Sequence, residues 1–279
     1  MSFASKQTLL NLQDENLMFG AIVGDVVGSS YERSPTKSLD FELFRKLSRL
    51  TDDSVLTIAV ADWILSGGQL HDYFHRYVAR YPFVGYGRTF KNWARSYDTE
   101  PYNSWGNGSA MRVSPTAYAA DSLESVLDLA AQTAEVTHNH PAGIAGAQAV
   151  AGCIYLARTG QSKQEIREFV TTKFGYDLSR NLDDIRVSYS FDVSCAGSVP
   201  ESILAFIESD SFESAIRLAI SLGGDADTMA CIAGAIAEPF YGGVPETIQQ
   251  TTRTYLDDHS RDVIDAFCAK YIIEPEVGE

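Results

Sequence analysis

Residues 223–234 read Gly-Gly-Asp-Ala-Asp-Thr-Met-Ala-Cys-Ile-Ala-Gly. The paired glycines permit a tight turn. Asp225 and Asp227 follow at spacing i, i+2, and an alanine-rich apolar run starts after Thr228. Alanine favours helix, so the stretch predicts a turn that delivers acids to a helix mouth. Asp227 or Thr228 is in position to cap that helix. The carboxylates of Asp225 and Asp227 then lie where a cation can also sit. Taken alone, the stretch is sufficiently explained as a glycine turn and an N-cap. Its further meaning depends on what other parts of the chain bring to it.

Helical signals dominate elsewhere. An apolar helix is expected over 17–28, with Gly20, Gly24 and Gly28 four apart on one face, a spacing that permits close helix packing. Asp25 inside it reads equally well as a hydrogen-bonded acid or as a functional one. After the loop Ser29-Ser30-Tyr31-Glu32, a short helical segment is expected near 39–48. Thr51 is a good N-cap for the next helix, and Asp52 and Asp53 suit its dipole. Gly67-Gly68 ends that helix, and others are expected near 70–80 and 88–96. The segment 98–109, DTEPYNSWGNGS, is a turn-rich loop of the kind that often carries function.

Downstream, Asp121-x-x-Glu124 and Ser162-x-x-Glu165 have the form of capping boxes. Residues 142–158 suit a central buried helix, and 185–193 alternate as an extended segment would. Pro200 suits a helix start. Asp210-x-x-Glu213 opens a helix through Leu222, and two more, near 245–257 and 260–271, close the chain. The expected fold is all-α: a single compact multi-helix domain over 17–273 with a central cleft, preceded by a polar lead-in over 1–16.

The chain has 279 residues and a net charge of −15. That charge argues against nucleic acid or an anionic membrane as partner. An anionic small ligand would need backbone N–H groups, helix N-termini or a cation to hold it. Cys153, Cys195, Cys231 and Cys268 form no Cys-x-x-Cys pair and read as reduced buried thiols. No signal peptide or membrane span is expected, so the protein is read as cytoplasmic and monomeric.

P-loop, dinucleotide and nucleophile-elbow patterns are missing from the sequence, as are Cys/His zinc clusters. What stands out is oxygen chemistry. Thr51, Asp52 and Asp53 form one group, and Asp225, Asp227 and Thr228 form another. Carboxylate and hydroxyl ligands suit hard cations such as Mg²⁺ or Mn²⁺. Spacing alone does not show that the two groups meet.

The segments Gly24-Asp25, Gly28 to Glu32, Thr51 to Ser54, Gly85-Tyr86-Gly87, Ser104 to Arg112 (SWGNGSAMR), Thr137-His138 and Gly223 to Thr228, in this order, resemble the ADP-ribosylglycohydrolase family. The resemblance implies an all-α fold with two divalent cations, Mg²⁺ or Mn²⁺, in a central cleft. It gives the ligand role to Thr51, Asp52, Asp53, Asp225, Asp227 and Thr228. It makes Glu32 a catalytic or metal-linked carboxylate, with Asp52 or Asp227 as the other candidate acids for general acid–base work. It places Gly85, Gly87, Ser104, Trp105, Gly106, Asn107, Gly108, Met111 and His138 where relatives contact ADP-ribose. Trp105 then stacks on a ribose or purine, or else is a core aromatic. His138 bonds a ribose or phosphate, or else a backbone partner. The implied partner is ADP-ribose or an ADP-ribosylated target. The implied reaction is hydrolysis at C1″ of ADP-ribose on a protein side chain. The alternatives are a free derivative such as an acyl ester, or non-catalytic binding.

Overall fold

The computed structural model describes residues 18–271. The expected lead-in over 1–16, and the end of the expected domain at 273, lie outside the described residues. Among those described there are fourteen α-helices and no strand. They are α1 (Phe19–Gly28), α2 (Asp52–Ser66), α3 (Leu70–Arg80), α4 (Arg88–Arg95), α5 (Gly108–Met111), α6 (Leu123–Glu135) and α7 (Pro141–Arg158). Then follow α8 (Lys163–Phe174), α9 (Leu182–Ser188), α10 (Cys195–Glu208), α11 (Phe212–Ser221), α12 (Ala226–Tyr241), α13 (Glu246–Arg253) and α14 (Asp258–Tyr271). The fold is all-α.

The opening stretch leads into the central helix. α12 is buried at every position from Ala226 to Glu238, and α1 is buried along its whole length. The two pack backbone to backbone. A Cβ at Gly20, Gly24 or Gly28 would lie 2.3, 2.0 or 2.4 Å from the carbonyl oxygen of Gly234, Ala230 or Ala226. The glycine stripe is therefore what lets α1 approach α12. Helices α7, α10 and α11 also pack on α12, while α2 joins α1 to α3 and α14. No neighbouring side chain caps α1. Glu238 of α12 does so instead, accepting from the N–H groups of Met18 and Phe19 at 2.9 Å each.

Thr51 caps α2 by accepting from Asp53 N, and Ser162 and Glu165 form the expected capping box. The cysteines are free and buried. Other expectations are corrected. Residues 39–48 form turns rather than a helix. Their carbonyls are engaged outside the segment: Arg217 Nη1 donates to Leu39 O and Phe41 O, and Tyr31 Oη donates to Glu42 O. Residues 185–188 belong to α9 rather than to an extended run. Leu182 and Ile185 turn inward at helical spacing, and Val187 is 86% exposed. Ser122 and Ser211, rather than Asp121 and Asp210, cap α6 and α11, since their hydroxyls reach the N–H groups of Ser125 and Ser214. α10 starts at Cys195 on a Ser194 cap, so Pro200 lies inside it. The carbonyl that Pro200 leaves unbonded is that of exposed Ala196 in the first turn, where water can serve it. No helix among the described residues is long and apolar enough to cross a membrane.

Candidate active site and metal centre

The start of α12, the start of α2 and the loop after α1 converge on one cleft of about 560 Å³. It is lined by Glu32, Asp52, Asp53, Asp225, Asp227 and Thr228 on one side. Gly85, Gly87, Ser104 to Gly108, Met111 and His138 line the rest. The two acidic groups, far apart in sequence, thus meet. Thr51 alone of the expected site residues does not line the cleft; it lies just behind it, buried.

Asp227 is shared between two clusters. Carboxylate oxygens of Glu32, Asp225 and Asp227 lie within 4.8 Å of one another, as do those of Asp25, Asp53 and Asp227. Asp225 holds the cap position of α12 and makes no side-chain cap. Asp227 lies inside the first turn, its Oδ1 accepting from the first-turn N–H of Thr228 at 3.0 Å. Asp225 instead accepts from Asn107 Nδ2 at 2.8 Å, which keeps its carboxylate turned toward the acids opposite.

Asp25 sits beneath the centre. It accepts from Thr51 N (2.9 Å), Thr51 Oγ1 (2.6 Å), Ser54 N (3.1 Å) and Ser54 Oγ. With both oxygens so occupied, Asp25 orients Thr51 and the start of α2 rather than facing the cleft, as outer-shell carboxylates do at metal sites. An acid inside an otherwise apolar buried helix is the sequence signal for such a group.

The donor set fits hard cations. Every candidate ligand is an oxygen, and no cationic side chain pairs with these acids among the described residues. Thr51 Oγ1 lies 2.6 Å from Asp25 and 3.1 Å from Asp53, yet it has one proton to give. Asp53 Oδ1 is buried with no hydrogen-bond partner. Burial and crowding make the charged form of each of these acids costly. Burial, then the charge of Asp25, pushes the Asp52 carboxyl up to about 7. Burial and mutual repulsion push Asp53 and Asp227 well above the usual carboxylate range, and burial raises Asp225. A bound cation would relieve that repulsion.

Much of the remaining lining is backbone. Asn107 N donates to Val193 O at 2.8 Å and Cys195 N to Trp105 O at 3.0 Å, tying the Ser104–Gly108 loop to the entry of α10. A Cβ at Gly108 would meet His138 Nε2 at 3.0 Å, and one at Gly106 would lie 3.7 Å from it. Gly85 has φ +113°, and at Gly87 a Cβ would meet nothing within 4 Å, which leaves space open beside α4. Trp105 is 54% exposed at the mouth, so its reading as a core aromatic is corrected. His138 bonds a side chain, Thr137, rather than a backbone partner. The reading of the sequence missed Arg88, Tyr102, Phe191 and Val193 as lining residues. Phe191 and Val193 reach the cleft through a loop that the alternating pattern disguised as extended structure.

An all-α body with a divided acidic centre facing a glycine-rich wall defines the class of protein. The family model described as ADP-ribosylglycohydrolase matches residues 15–277, and the chain belongs to that family. Among its relatives, ADP-ribosylhydrolase ARH3 of Homo sapiens is 28% identical over 319 aligned positions, covering 85% of this chain and 88% of that protein. ADP-ribosylarginine hydrolase Tri1 of Pseudomonas putida (strain GB-1) is 26% identical, covering 82% and 71%. ADP-ribosyl-[dinitrogen reductase] glycohydrolase of Rhodospirillum rubrum is 24% identical, covering 80% and 83%. A solved structure described as an ADP-ribosylglycohydrolase-related protein complex shares the fold, with TM-score 0.70 and 23% identity over 92% of this chain and 98% of that one. The protein is a glycosidase-type hydrolase.

Proposed function

We propose that the protein hydrolyses the bond at C1″ of ADP-ribose, releasing ADP-ribose from a modified protein side chain, with two divalent cations, Mg²⁺ or Mn²⁺, at the acidic centre. The observation that carries this reading is the convergence of both acidic groups on one cleft opposite a glycine wall. The relatives named for hydrolysis of ADP-ribosyl linkages support the substrate class. A cavity of about 560 Å³ suits a ligand of this size. When bound, the cations would supply Lewis-acid charge stabilisation and a place for ribose hydroxyls, held by Asp52, Asp53, Asp225, Asp227, Glu32 and the Thr51 and Thr228 hydroxyls.

The chain's own groups do the rest. Backbone N–H groups of Gly85–Gly87, Trp105 and Gly108 hold the diphosphate, those of Ser104, Gly106 and Asn107 being bonded within the protein, which answers how a chain of charge −15 binds an anion. Trp105 offers its exposed face to a base or ribose. Asn107 fixes the Asp225 carboxylate. Cleavage passes through a state of oxocarbenium character. Glu32, at the edge of the acidic centre, takes a proton from the water that adds to C1″, and Asp52 or Asp227 gives its proton to the departing side-chain atom as the bond breaks.

The test measures ADP-ribose release from arginine-, serine- and acyl-linked substrates with Mg²⁺ and with Mn²⁺. Release that depends on metal and is lost in Glu32→Gln is expected. Undiminished release after EDTA and in Glu32→Gln would refute the scheme. Release from the acyl-linked compound alone would favour the free-derivative alternative.

A further inference from the structure

The cleft floor contains a fully buried cation with no carboxylate partner among the described residues. Arg112 is 0% exposed. Its guanidinium carbon lies 4.5 Å from the Phe74 ring centre, and Nε and Nη1 have no hydrogen-bond partner. Nη2 donates to Thr133 O at 2.8 Å and to Thr137 Oγ1 at 2.9 Å. Thr137 Oγ1 in turn lies 2.7 Å from His138 Nδ1. The far ring nitrogen, Nε2, faces Gly106 and Gly108 in the wall of the cleft.

Hydrogen-bond accounting along this chain fixes a proton. Arg112 can only donate, so it occupies a lone pair of Thr137 Oγ1. The hydroxyl proton of Thr137 is then left for Nδ1. A guanidinium pulling on Oγ1 makes that hydroxyl a stronger donor, whereas an N–H on Nδ1 would point a further donor at an oxygen already facing positive charge. Burial, then Arg112, holds the His138 imidazole well below its ordinary pKa, so the ring is neutral and has one N–H.

We propose that Arg112 and Thr137 are positioning residues that lock His138 as the neutral Nε2–H tautomer, giving the cleft one fixed donor for a phosphoryl or hydroxyl oxygen of the ligand. This inference takes ADP-ribose as the ligand from the reading above, but the lock itself exists without ligand. The device suits an acidic site: it places a partial positive charge at the glycine wall, and the full charge of Arg112 behind it is out of reach of the carboxylates and of solvent.

The test uses the full chain with ¹⁵N-labelled histidine. Long-range ¹H–¹⁵N spectra of the imidazole at pH 7, with His138 identified through His138→Asn, should show the Nε2–H pattern in the ligand-free protein. Thr137→Val, close in shape but without a hydroxyl, should shift His138 toward the other tautomer and weaken ADP-ribose binding roughly tenfold, the loss of one hydrogen bond. Thr137→Ser should restore both, which a merely structural role for the side chain would not require. An Nδ1–H ring in the unsubstituted protein, or an unchanged tautomer in Thr137→Val, would overturn the proposal. Should Thr137→Val fail to fold, the spectrum of the unsubstituted protein and that of Thr137→Ser still decide. If the tautomer is as stated but ADP-ribose does not bind, the substrate assignment fails and the lock stands.

Discussion

Asp53 and Trp105 show how differently single residues depend on the fold. Asp53 is buried beside Asp25, Asp52 and Asp227, and its Oδ1 has no partner. Replacing it by Asn removes a charge from a crowded group. The metal-free protein should therefore become more stable by about 1 kcal/mol while hydrolysis falls at least about 100-fold. Thermal unfolding in EDTA and the release assay, run on one preparation, check both halves; a variant that is less stable in EDTA would contradict the repulsion. Trp105 is exposed and contributes little to stability. Trp105→Ala should leave the melting temperature within a degree or two and raise KM about tenfold, the scale of one lost stacking contact. An unchanged KM would remove Trp105 from the binding surface.

At the scale of elements, the pairing of α1 with α12 sets the site. Asp25 lies on α1, while Asp225 and Asp227 stand at the start of α12, so any separation of the two helices pulls the centre apart. Gly24→Ala would put a Cβ 2.0 Å from Ala230 O, which is backbone and cannot turn aside. The expected cost is about 3 kcal/mol, read by urea unfolding. Glu238 joins the same two helices. Burial pushes its carboxyl up to about 8, against the pull of the N–H groups it accepts from. A carboxyl raised above its unfolded value of 4.5 gives stability that is full below pH 4.5 and lost as pH rises through about 8. Stability of the unsubstituted protein should therefore fall more steeply between pH 5 and about 8.5 than that of Glu238→Gln. Parallel pH profiles would show that the N–H groups outweigh burial.

For the whole molecule, cations bound at the acidic centre as proposed would make stability depend on them. A cation that binds only the folded state stabilises it by about 2.7 kcal/mol at 100 times its Kd. Mg²⁺ or Mn²⁺ should accordingly raise the melting temperature, and the double variant Asp225→Ala/Asp227→Ala should lose that rise. A rise that survives in the double variant would place the cations elsewhere.

The sequence alone determined most of the helices, because amphipathic spacing, serine and threonine caps and glycine stops are local physics. It also showed the donor type of the proposed centre, since the candidate acids and hydroxyls offer only oxygen, which suits hard cations. It misread 39–48 and 185–188 because distant groups decide those segments: Arg217 and Tyr31 take the carbonyls of the first, and the core takes Leu182 and Ile185 of the helix that includes the second. Only the tertiary structure decided that Gly223–Gly234 meets Thr51–Asp53. No local signal spans that distance; it takes the approach of α1 to α12, which the glycine stripe permits. The structure also put Asp225, rather than the expected Asp227 or Thr228, at the cap position of α12, and its carboxylate accepts from Asn107 Nδ2 instead of capping its own helix.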